Sequence, residues 1–286
     1  MQQGKRTRHS FTTDIRGIGL ESTILFAREG AAVLMADVKP VTLETGLCRA
    51  REFAPGAKIE KFVVDVSQEV QVEAMVSEAE KLFDGGVDVI FNNAGIMHPD
   101  DDNALNTEER IWLIVFSVKL AHSRDLTHNI NVKGVWWGCK YAIQSMKKHG
   151  KGGSIINTAS IVAKVGSAAP QLACTAYFLY ILTIDTASKG AVLALSRELA
   201  IVHAKDGIRI NALCPGPLNT PLLQNFLDTP EKRHRRTIHL PMGRFGMTQS
   251  FRVLISGEAI EQARAAVFLA SDESSYITAT VLALDM

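Results

Sequence analysis

Short apolar runs alternate with longer amphipathic stretches along this chain, and that alternation leaves few folds open. The runs 31–37, 61–65 and 87–92 read as strands, and so do 154–158 and 208–213, both short, β-branched and bounded by Gly or Pro, as strands buried on both faces are. Before, between and after them, 19–28, 70–83, 135–148, 188–203 and 258–269 read as helices. Such alternation builds a parallel sheet, because each crossover between parallel strands must lay a helix over one face. The expected fold is α/β: a Rossmann-like doubly wound parallel sheet with helices on both faces, in one domain spanning 1–286. No repeat, low-complexity tract or linker divides it, and 47% hydrophobic residues suffice for one sizeable core.

Charge narrows the partners. Lysine and arginine number 31 and acidic residues 30, a formal net charge of +1 that sets up no field favouring nucleic acid or anionic lipid. A small-molecule partner is expected, with no nucleic acid and no membrane. Cys48, Cys139, Cys174 and Cys214 show no C-x-x-C spacing, and His98, His128, His149 and His203 no H-E-x-x-H, so neither a metal nor a disulfide framework is expected. Residues 1–10 are basic and polar without an apolar core, and the apolar runs 113–120 and 177–184 are too short to span a bilayer. Reduced thiols and these absences lead to the expectation of a soluble, cytoplasmic protein.

The first strand-to-helix turn is the expected phosphate cradle. Gly17-Ile18-Gly19 opens the helix 19–28, where glycines let backbone N–H groups approach a pyrophosphate at the positive helix end. Asp37 ends the next strand about twenty residues on, where a carboxylate accepts hydrogen bonds from a ribose 2′-OH. Each has a plainer reading, as ordinary turn glycines and a solvated strand-end carboxylate.

The order of motifs beyond this point resembles the short-chain dehydrogenase/reductase family in its form of about 250 residues. The resemblance runs from about Arg16 to Asp285. It rests on Gly17-Ile18-Gly19, Asp37, Asp65-Val66, Asn92-Asn93-Ala94-Gly95, Asn131-Val132-Lys133-Gly134, Ser160, Thr186-Ala187-Ser188-Lys189-Gly190, and Pro215-Gly216 followed by Thr220. It implies hydride transfer between nicotinamide and an alcohol or carbonyl substrate, with NAD as cofactor. Asp37 would repel a 2′-phosphate, while Arg16 beside the cradle leaves NADP open. It also implies that Asp65 and Val66 border the adenine, that Asn92, Ala94 and Gly95 line the cofactor, and that Thr220 meets the nicotinamide amide. Lys189, Ser160 and Asn131 would be catalytic. The resemblance further implies a homo-oligomer built on the helices 135–148 and 188–203, and a substrate lid over 221–242.

One group departs from the pattern. The family carries a tyrosine four residues before its lysine, and here that place holds Asp185, which cannot supply a phenol. Tyr177 and Tyr180 lie nearby without the i, i+4 relation that would put them on the lysine's helical face. Removing 175–185 and changing Cys174 to tyrosine restores the family text. A tyrosine codon T/AC, split by an intron that begins GT and ends AG, reads through as TGT for Cys174 and GAC for Asp185. The segments 113–124, ending in Arg124 after Trp112, and 247–257, between Gly246 and Glu258, invite the same reading. All three are expected to be translated introns or gene-model errors, which leaves the chain as written impaired. The alternative is a non-catalytic dinucleotide-binding or scaffold protein of the same fold. Residues 1–11 lack the apolar run of a central first strand and Thr13 stands where the cradle's first glycine belongs, so a degenerate first strand and weaker cofactor binding are expected.

Overall fold

The computed structural model describes residues 9–13, 15–96, 126–165, 183–216 and 259–284, with single positions at 218, 229, 230 and 234. Its strands are β1 (His9–Thr13), β2 (Ala32–Asp37), β3 (Ile59–Val63), β4 (Val89–Asn92), β5 (Gly153–Thr158), β6 (Ile208–Pro215) and β7 (Val281–Leu284). They form one sheet in the order β3-β2-β1-β4-β5-β6-β7, and every pairing is parallel. The main helices are α1 (Ile18–Arg28), α2 (Pro40–Phe53), α3 (Glu69–Phe83), α4 (Val135–His149), α5 (Thr183–His203) and α6 (Ala259–Ala270).

The unbroken apolar run of β2 follows from burial on both sides. Ala32, Leu34 and Ala36 join a layer with Met75 and Val76 of α3, Ile143 of α4 and Val192 of α5. Val33 and Met35, pointing the other way, join Ile24 of α1, Leu43 of α2 and Leu269 of α6. A period of two over a doubly covered sheet therefore leaves no polar face to read in the sequence. Among the described residues no helix is long and apolar enough to cross a membrane.

The expectation of a degenerate first strand is corrected. Residues 9–13 form a full central strand, pairing from His9↔Ala32 to Thr13↔Ala36 with β2 and from Ser10↔Val89 to Thr12↔Phe91 with β4. Phe11 is fully buried in the α3–α4–α5 layer. Ser10 and Thr12 are fully buried too, and their hydroxyls have no hydrogen-bond partner among the described residues. Two neighbouring ladders hold a sequence whose own pattern does not announce a strand, a case of context overriding propensity. An orphaned buried hydroxyl costs about 1–3 kcal/mol. Thr12→Val keeps the shape and removes the hydroxyl, so it should raise the free energy of unfolding by about 1–2 kcal/mol in a denaturant titration. A loss of stability would show that the hydroxyl is satisfied.

Three further elements differ from expectation. Helix α2 opens on Pro40, whose missing N–H costs nothing at a first turn, and it buries only Leu43, Gly46, Leu47 and Ala50. Strand β7 closes the far edge beside β6. Helix α5 starts five residues before the expected 188, so residues 183–185 of the segment 175–185 lie in its first turn. The segments 113–124 and 247–257 lie outside the described residues. The order in which strands are added reverses between β1 and β4, and the carboxyl ends of these two parallel strands open the crevice where such sheets bind ligands.

Candidate functional site

At this crevice β1 leads into α1 through Gly17, whose φ of 49° and ψ of −114° suit only a residue without Cβ. The first N–H groups of α1 have no acceptor within the helix. Thr13, where a glycine was expected, serves as a clasp. Its Oγ1 accepts the N–H groups of Asn93 at 2.9 Å and Ala94 at 3.0 Å, and Asn93 Nδ2 donates back to the Thr13 carbonyl at 3.3 Å. Thr158 Oγ1 then donates to Asn93 Oδ1 at 3.0 Å, extending the link to β5. Sequence reading missed this role, although a hydroxyl at the carboxyl end of the first strand was a signal for it.

Asp37 is only 7% exposed and closes the other side of the cradle. One carboxylate oxygen accepts the Ile15 N–H and the other the Lys39 N–H, both at 2.9 Å. Each oxygen retains a lone pair for a further donor. The Asp37 carbonyl also receives the Val64 N–H, which brings Asp65 beside it. Asp65 accepts the Ser67 N–H at 2.9 Å. Val66 packs on Gly134, where a Cβ would lie 3.0 Å from the Val66 carbonyl oxygen.

The third side of the crevice is made by α4 and α5. Asn131, 1% exposed, sits in a π-helical turn, Asn129–Gly134, that runs into α4. Its Oδ1 accepts the Ile96 N–H at 2.8 Å, while Nδ2 donates to the Ile96 carbonyl at 2.9 Å and to Ser188 Oγ at 3.1 Å. Lys189 follows Ser188 on α5, and its Nζ donates to the Thr158 carbonyl at 3.3 Å. A Cβ on Gly95 would stand 3.1 Å from Lys189 Nζ and 3.4 Å from Asn131 Oδ1. Asn131, Gly95 and Lys189 therefore meet at one point.

Ser160 lies two residues past the end of β5, its Oγ accepting the Val162 N–H at 3.4 Å. Ala159 N–H to Leu213 O and Ile161 N–H to Pro215 O, at 2.8 and 3.1 Å, hold this segment along the end of β6. Burial pushes the neighbouring Cys214 thiol up, against a hydrogen bond from the Ser160 backbone and the positive charges of Lys164 and Lys189. Gly216 donates its N–H to Leu284 O at 2.9 Å, tying this corner to β7.

Asn92 is placed differently from Ala94 and Gly95. Its side chain turns into the seam between sheet and α4, donating to Asn157 Oδ1 at 2.8 Å, and a Cβ on Gly138 would collide with its Oδ1. Thr220, Cys174, Tyr177 and Tyr180 lie outside the described residues. Asp185 is within α5, one helical turn before Lys189.

A helix N-terminus, a strand-end carboxylate and an ammonium gathered with an amide can hold a dinucleotide, and the Ser160 hydroxyl past the end of β5 can bond a substrate oxygen. Comparison with known proteins agrees with that chemistry. Residues 13–286 match the family model described as enoyl-(acyl carrier protein) reductase. The 3-oxoacyl-acyl-carrier-protein reductase FabG of Thermotoga maritima is 32% identical over 270 residues, covering 94% of this chain and 92% of its own. A 2,5-dichloro-2,5-cyclohexadiene-1,4-diol dehydrogenase of Sphingobium indicum is 35% identical over 271 residues, covering 94% and 91%. The crystal structure of a levodione reductase superposes with a TM-score of 0.76 at 30% identity, covering 98% of this chain and 97% of that one.

Proposed function

We propose that this chain, which belongs to the short-chain dehydrogenase/reductase family and is an NAD(P)-dependent oxidoreductase, works on an alcohol or carbonyl substrate at the junction of Asn131, Gly95 and Lys189. That junction carries the reading, because it sets a cation and a fixed amide beside the crevice that follows β1 and β4. When bound, the nicotinamide supplies hydride donation or acceptance.

The chain's own groups then have these roles. Gly17, Ile18 and Gly19 offer N–H groups to the pyrophosphate, and Asp37 accepts from the adenosine ribose. Asp65, Val66, Ala94, Gly95, Pro215, Gly216 and Thr220 complete the cofactor site, and Asn92, whose side chain faces the seam with α4, supports it from behind. Lys189 holds the second ribose, Ser160 donates to the substrate oxygen, and Asn131 fixes the turn at Ile96 against α5. We take the three segments as insertions within a single domain, and position 185 as the place of the phenol that moves the hydroxyl proton. With Asp185 there, turnover is impaired.

NAD is the cofactor that Asp37 favours, since a 2′-phosphate would meet a like charge. Asp37→Asn should lower the preference for NADH over NADPH by about tenfold or more in paired binding titrations, one pair of like charges being worth at least about 1.4 kcal/mol here. An unchanged ratio would remove Asp37 from the selection.

A homo-oligomer is supported by Trp136 on α4 and by Ile201 and Val202 on α5, all exposed. The free thiols of Cys48, Cys139 and Cys214 support a cytoplasmic setting. Asp185 also favours a second reading, a dinucleotide-binding protein without catalysis. NADH oxidation against a broad panel of carbonyls decides between the two: turnover supports the enzyme, and cofactor binding with no turnover even when tyrosine occupies position 185 supports the other. Sequencing the transcript across codons 173–186 and the other two segments tests whether they are translated introns or gene-model errors, and a mature message carrying all three would reject that origin.

A further inference from the structure

A buried polar chain crosses the interior behind the site. Asn92 Nδ2 of β4 donates to Asn157 Oδ1 of β5 at 2.8 Å, and Asn157 Nδ2 donates to Ser196 Oγ of α5 at 3.0 Å. Ser196 Oγ donates in turn to the Val192 carbonyl at 2.7 Å. Cys139 of α4 lies 3.5 Å from Asn157, and burial pushes its thiol up to about 12. Asn157 is fully buried, with Asn92 and Ser196 nearly so. Such a chain is costly to bury unless each member is paired, as these are.

Its end point is informative. Ser188, Val192 and Ser196 are spaced four apart on the buried face of α5, and Lys189 follows the first of them. Asn131 therefore grips α5 at Ser188 and Asn157 grips it at Ser196, about two turns away. Between these points the helix shares an apolar layer with Ile155 of β5 and Ile210 of β6, and apolar burial is non-directional. Two directional clamps fix both the rotation of α5 and its position along its axis. A helix is stiff over two turns, so loss of the second clamp would shift Lys189 Nζ from its 3.3 Å contact with the Thr158 carbonyl.

We propose that Asn157 and Ser196 are positioning residues for Lys189. They touch neither cofactor nor substrate and act by setting where the ammonium stands. The inference rests on the assignment of Lys189 to the nicotinamide ribose made above.

ADP offers a control, because it fills the adenosine half of the crevice and does not reach Lys189. Binding of NADH and of ADP is titrated for the wild type, Ser196→Ala, Asn157→Leu and Ser196→Thr, with thermal midpoints in parallel. Ser196→Ala and Asn157→Leu should weaken NADH by about tenfold to a hundredfold, the cost of losing a hydrogen bond from a charged group, and leave ADP within about twofold. Ser196→Thr, which keeps the hydroxyl, should restore NADH affinity. Ser196→Ala only shortens a side chain, so it carries the test if Asn157→Leu does not fold. Loss of both affinities in step with the thermal midpoint, or no change in either, would overturn the proposal. A wild type that binds NADH no tighter than ADP would instead sink the assignment of Lys189 itself.

Discussion

Tyrosine at position 185 should raise hydride transfer by about 10²–10⁴-fold, the usual contribution of a positioned acid–base group. Two variants supply it. Asp185→Tyr places the phenol on α5 one turn before Lys189, since the helix already runs from Thr183. Deleting 175–185 together with Cys174→Tyr reaches the same spacing and removes the whole segment. In either, Lys189 would stand on the same helical face as the phenol and favour its ionised form. The measurement is NADH oxidation with a carbonyl panel, and the cofactor's affinity should change far less than turnover. Equal turnover in the parent and in both folded variants would remove position 185 from the chemistry.

Thr13→Val should have the largest effect on the crevice itself. It leaves the N–H groups of Asn93 and Ala94 without the Oγ1 that now accepts both. At about 1–3 kcal/mol for each orphaned donor, the loss of stability should be about 2–4 kcal/mol once relaxation is allowed. Cofactor affinity should fall by about tenfold or more as the turn between β4 and the site loosens. Thr13→Ser keeps the hydroxyl and should stay close to the parent in both respects. Chemical denaturation and NADH titration read the two effects, and a valine variant that matched serine would dismiss the clasp.

Residues legible in the sequence were those whose neighbours in space are neighbours in pattern. The run 31–37 announced β2 because both its faces are buried, and the Gly17-Ile18-Gly19 turn announced α1. Strand β1 stayed hidden because Ser10 and Thr12 place hydroxyls in the core and its stability comes from the flanking strands. Helix α2 stayed hidden behind a narrow apolar stripe. Around the site, the order of motifs pointed to Asn131, Gly95 and Lys189, which do meet. Thr13, Asn157 and Ser196 were not legible. Thr13 meets Asn93 across 80 positions, and Asn157 meets Ser196 across 39, separations at which no local spacing survives.

The most direct test of the account is a fluorescence titration of the unaltered chain with NADH. Binding at the crevice formed by Thr13, Gly17, Asp37, Gly95 and Lys189 predicts a saturable signal that ADP displaces competitively. A signal that does not saturate, or that ADP leaves untouched, would contradict it.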